Sequence, residues 1–142
     1  MKMNQAYTFI KYLFLFFTGG IGYYYLEIWY RGTSHYSMLI CGGLCFLLIG
    51  GLNEQNYFTF SFFQQMLLGS IIITTLELFT GILVNRILHL NVWNYEGLPF
   101  NFLGQICLSY STLWFFLSAV IIVLDDYLRV LFFLETPPTY FL

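Results

Sequence analysis

Two glutamates lie in apolar stretches of the chain, in matching settings fifty residues apart. Gly19-Gly20-Ile21, followed by Leu26-Glu27-Ile28, recurs as Gly69-Ser70-Ile71, followed by Leu76-Glu77-Leu78. A carboxylate in hydrocarbon costs about 3 kcal/mol or more, so a repeated one suggests use in binding a substrate or relaying protons. Glu27, Arg31 and His35 are spaced by four and would line one face of a continuous helix. Two readings stand for them. One is a charge-neutralised helix end with Arg31 reaching the headgroups; the other is a polar substrate or proton site. Gly32 threatens the helix between them, and His35 alone would be an interfacial loop residue.

Glu77 is followed on about the same face by Gly81, Asn85 and His89. Arg86 is too far along a straight helix to reach it, about 13 Å at the usual rise. Glu77 therefore needs a partner from another helix, a water-filled cavity or a proton. By pattern, Arg31 is the nearest candidate cation, and two facing glutamates could share a proton.

A third constellation follows: Trp93, Asn94, Tyr95, Pro99, Asn101, Gly104 and Gln105. Pro99 forbids a continuous helix, and Asn101 is the expected N-cap of the next one. The segment reads as a structured loop, either an interfacial anchor or a lid over the glutamates. Cys41, Cys45 and Cys107 are an odd number in apolar surroundings and read as packing residues, with too few neighbouring ligands for a metal. No Ser-His-Asp or Cys-His set stands at a common depth. A membrane enzyme using Glu and His as acid and base is the weakest reading, and no cofactor is expected.

The elements that position these residues follow from composition. The chain has 142 residues, 59% hydrophobic and 8% charged, against about 25% charged in soluble domains. A soluble fold of this size could not bury that much apolar surface, so the bilayer must be the solvent. Lipids are then the immediate partners, and a net charge of −2 leaves no surface for nucleic acid. The pattern predicts an all-α polytopic membrane protein with one domain and four transmembrane helices, at about 8–30, 36–52, 58–88 and 103–124, with the structured loop at 89–102. Lys2 and Lys11 before the apolar run resemble a signal sequence, but the run is long enough to be a retained first helix. Two parallel two-helix repeats would relate Glu27 to Glu77. Tyr23, Tyr24, Tyr25, Trp29 and Tyr30 read as an aromatic belt that sets Glu27 near an interface, with a cation-binding aromatic cage the weaker alternative. Lys2, Lys11 and Arg129 against Arg31 and Arg86 favour cytoplasmic termini in a multi-pass cell-membrane protein. Asp125, Asp126 and Arg129 read as a self-neutralised interfacial end.

Trp93-Asn94-Tyr95, Pro99-Phe100-Asn101 and Gly104-Gln105-Ile106-Cys107-Leu108 resemble a signature of small bacterial membrane proteins, the ABC-transporter permeases of the CmpB type. Glu27, after a Gly-rich first helix, and Glu77, before the tryptophan motif, match the same pattern. The resemblance runs from about Phe17 to Trp114. It implies a small permease-like, solute- or ion-translocating component with its polar site around Glu27 and Glu77. A non-catalytic lipid-binding or interaction protein is the alternative. The family pattern has Asp where Asn94 stands and Arg where Gln105 stands. Joint loss of both charges predicts that an ion pair has become an amide pair. The chain lacks a phosphate-binding Gly-x-x-x-x-Gly-Lys-Ser/Thr loop, so ATP-driven transport would require a separate ATPase subunit. Four helices enclose little volume, which favours a homo-oligomer or a larger membrane complex.

Overall fold

A helix start leaves backbone N–H groups that a side chain can answer. The computed structural model, which describes residues 4–54 and 59–142, has four α-helices, and the first three start on such a side chain. Helix α1 (Gln5–Arg31) is capped by Asn4, whose side chain accepts from the Ala6 N–H. It stops at Gly32, whose φ of 79° is the left-handed conformation that glycine adopts readily. Helix α2 (Tyr36–Gly50) starts at His35, whose ring accepts from the Ser37 N–H. Helix α3 (Phe62–Gly81) opens with a reciprocal Ser61/Gln64 capping box and continues as a π-helical turn, Ile82–Ile87. A two-residue hairpin, β1 (Asn101–Phe102) with β2 (Ile106–Cys107), precedes helix α4 (Leu108–Phe133).

These bounds correct the expected ones in three places. The third helix begins at Phe62 rather than 58, and its expected start at Phe58, like Lys2, falls outside the described residues. The fourth helix runs from 108 to 133 rather than 103–124. Asn101 is not its N-cap: the Asn101 side chain donates to Leu98 O at 2.9 Å and accepts from Gly104 N–H at 3.1 Å, so it folds the loop. Among the described residues, one helix, Phe62–Ile87, is long and apolar enough to cross a membrane, with α2 a shorter apolar helix. That finding is consistent with a membrane location, while the four-span expectation goes beyond it.

Helices α1 and α2 pack closely as one hairpin, and α3 and α4 as another. Glycines let the first pair approach: a Cβ on Gly20 would stand 2.4 Å from Leu39 O, and one on Gly43 2.8 Å from Phe16 O. Helix α2 also meets α3 and α4 through a core of Cys41, Cys45, Ile49, Ile73, Trp114 and Ile122. Both α2 thiols are free and act as packing groups there. Helix α1 touches α4 sparsely, leaving a groove between the hairpins. Large apolar side chains, among them Phe9, Ile71, Phe79 and Val120, face outward.

The ends of the bundle differ. At the end holding the termini, Lys11 donates to Glu135 at 2.5 Å, and the Arg129 Nε–H donates to Asp125 at 2.5 Å. Glu54 lies 3.4 Å from the same guanidinium, and Asp126 accepts from both Asn53 and Tyr140. The expected self-neutralised end is thus a wider buried network, which ties the segment after α4 back onto α1 and α4. The opposite end carries Glu27, Arg31 and the Trp93 loop.

Candidate functional site

Glu27 sits on the last turn of α1, where the chain reverses at Gly32. Arg31, one turn on, donates to one of its oxygens at 2.7 Å, and the Ser34 hydroxyl donates to the other at 2.6 Å. Arg31 also reaches toward Val92 O at 3.4 Å. His35 does not join this pair. With α1 ended at Gly32, its ring caps α2, contacts the Ser37 hydroxyl at 2.8 Å and lies 4.0 Å from the Tyr36 ring between centroids. Ser34 takes the place that helical spacing gives to His35.

Glu77 lies deep on α3 and is 3% exposed. Its two oxygens accept from neutral groups: the Tyr95 hydroxyl at 2.9 Å and the Trp114 indole N–H at 2.9 Å. Arg31, the expected cation, is bonded to Glu27 instead. Burial, followed by the Glu77 charge, raises the Tyr95 phenol well above its ordinary value, which keeps it a donor.

The Trp93 loop is held over this carboxylate by amides. Asn85, on the π-helical turn, accepts from Val92 N–H at 2.6 Å and Trp93 N–H at 3.5 Å, and donates to the Gln105 side chain at 2.8 Å. The Trp93 indole donates to Gln105 O at 2.9 Å, and the Tyr95 N–H donates to Gly104 O at 2.7 Å. Pro99 lies in the following turn, where Leu98 N–H donates to Tyr95 O at 2.9 Å. The expected Asn94–Gln105 amide pair does not form. Asn94 bonds with Glu96 across two residues, whereas Gln105 turns inward to Asn85. A π-helical turn adds a residue per turn, and here it brings Asn85 under the loop.

Two adjoining cavities open beside the carboxylates. One, of about 220 Å³, lies in the groove between the hairpins and is lined by Tyr23, Cys45, Ile73, Glu77 and Trp114. The other, of about 420 Å³, is lined by Glu27, Arg31, Tyr95, Tyr110 and Trp114, with Tyr23 shared by both. Both are largely apolar and aromatic, as small-molecule sites tend to be. A carboxylate on such a wall can accept from a ligand donor through its remaining lone pairs, or exchange a proton.

Sequence reasoning missed Ser34, Tyr110 and Trp114. Trp114 was within reach of it: an indole in mid-helix needs an acceptor when buried, and Glu77 needed donors.

No curated protein and no solved structure matches the chain. A family model, described as "Putative ABC-transporter type IV", matches residues 12–139, in agreement with the CmpB-type resemblance carried by the glycine–glutamate and tryptophan motifs. The match covers nearly the whole chain, which therefore belongs to that family.

Proposed function

We propose that the chain is a four-span membrane subunit of a transport system, with Glu77 as the acceptor group of a solute site in the groove between α1 and α4. Family membership supports transport and association with other transporter components. The observation that carries the site is Glu77, a buried carboxylate held, among the described residues, only by neutral donors at the wall of an apolar cavity. Glu27 and Arg31 form the neutral rim of the site, and the Trp93 loop is its lid. All four helices cross the bilayer, with cytoplasmic termini at the end where Lys11 and Arg129 lie. An ATPase subunit supplies the energy, because the chain carries no phosphate-binding loop of its own.

Exposed apolar side chains along the groove, Leu26, Val120 and Leu124, also support a lipid-binding reading without transport. One experiment separates the two. The protein is purified gently with its accompanying subunits, reconstituted into vesicles, and assayed for ATP-dependent flux against a panel of radiolabelled small ions and solutes. Flux that Glu77→Gln abolishes supports a transporter. Binding of lipid with no flux of any tracer would leave the lipid-binding role.

A further inference from the structure

Glu77 is linked to the larger cavity through rings. Its two oxygens are occupied by Tyr95 and Trp114, and both of those rings line the cavity. Tyr110 closes the circuit: it stacks on Tyr95 at 4.6 Å and 11°, and lies 5.9 Å from Trp114. Tyr23 completes the wall, 6.1 Å from Trp114. A carboxylate that accepts from a phenol and an indole pushes electron density into both rings. Electron-rich rings attract cations, and indole is the strongest of the natural ones.

The charges facing this cavity leave the same sign. Glu27 and Arg31 line it and neutralise each other at 2.7 Å. Behind Tyr95 and Trp114 stands Glu77 with no cationic partner among its hydrogen bonds. A desolvated metal ion would need several oxygen ligands, and the cavity wall offers mostly rings and aliphatic side chains. An anion would meet Glu77 with only a committed Arg31 to favour it. Organic ammonium groups, which are weakly hydrated and carry an apolar skin, match rings backed by one carboxylate.

Building on the transporter reading, we infer that the Tyr23–Tyr95–Tyr110–Trp114 cavity binds a monovalent organic ammonium group, with Glu77 acting through the Tyr95 and Trp114 rings. The free solute and a lipid headgroup are the two sources of that chemistry.

The test uses the full chain in detergent, with tryptophan fluorescence as the readout, since Trp29 and Trp114 both line the cavity. The probes are choline and its neutral isostere 3,3-dimethylbutan-1-ol. The inference expects saturable choline binding, at least about tenfold tighter than the isostere, a difference of about 1.4 kcal/mol. Tyr110→Leu, which breaks no bond to Glu77, should weaken choline several-fold, and Tyr110→Phe should restore it. Equal affinity for the two probes, no saturation by choline, or an unchanged Tyr110→Leu variant would overturn the inference. In nanodiscs, choline binding suppressed by phosphatidylcholine but not by phosphatidylglycerol assigns the lipid headgroup as the source; equal binding in both assigns the free solute. Failed choline binding alongside a Glu77-dependent flux of another tracer sinks the ammonium class and leaves the transporter reading. Choline binding without any flux does the reverse.

Discussion

Glu27 and Glu77 share a local sequence and end in opposite chemical settings. Glu27 stands at a helix end with a guanidinium and a hydroxyl from its own reversal, and Arg31 keeps 27% of its side chain exposed. Glu77 stands inside the bundle with a phenol from the loop and an indole from α4. The first set of partners is local and the second is tertiary. The Gly–Ile–Leu–Glu pattern thus places a carboxylate on a helix, and the helix's neighbours decide what it becomes. Glu27 is itself only 8% exposed, but Arg31 neutralises its charge and local donors occupy both its oxygens, so Glu27 fits a structural rim. A carboxylate held by neutral donors beside a cavity keeps its capacity to bind or exchange.

The sharpest way to break this contrast is to remove each carboxylate. Glu77→Leu should lower stability by about 2–4 kcal/mol, because it leaves the buried Trp114 indole N–H unpaired at about 1–3 kcal/mol and the half-buried Tyr95 hydroxyl at about 1 kcal/mol. Glu27→Leu should lower it by about 1 kcal/mol, since Arg31 and Ser34 can turn to water. Thermal unfolding in detergent reads both, and equal losses would erase the distinction. Asn85→Ala comes next. It strips the Val92 and Trp93 N–H groups and Gln105 of their partner, which should loosen the lid by about 2–3 kcal/mol. Limited proteolysis within 89–102 should quicken markedly, and an unchanged cleavage rate would mean the loop is held elsewhere. Tyr95→Phe removes one charged-acceptor bond and should weaken stability by about 1.5 kcal/mol while leaving the Tyr110 stack in place. Ser34→Ala is the smallest change, at about 0.5–1 kcal/mol, because Arg31 still holds Glu27. A Ser34→Ala loss larger than that of Tyr95→Phe would make Glu27, not Glu77, the better-anchored group.

What was legible in the sequence follows the range of the interactions. Helices, the Gly32 break and the Trp93 loop depend on neighbours within a turn or two, and composition and turn residues reveal them. Glu27 with Arg31 is a one-turn pair and was readable from spacing. Glu77 with Trp114 spans 37 residues, and Lys11 with Glu135 spans 124, so packing alone creates them. His35 was placed beside Glu27 by helical periodicity, and a glycine with positive φ moved Ser34 there instead. The amide pair expected of Asn94 and Gln105 failed because the π-helical turn supplies Asn85 to Gln105 first. One added residue in a helical turn leaves no mark in hydropathy.

The contrast between the two glutamates is most directly tested with dicyclohexylcarbodiimide, an apolar reagent that adds to membrane carboxyl groups able to take up a proton. The protein in vesicles would be treated with it, digested, and mapped by mass spectrometry. The account predicts modification of Glu77, reached through the groove cavity, with Glu27 protected by its ion pair to Arg31. Modification of Glu27 with Glu77 untouched, or of both to the same extent, would contradict it.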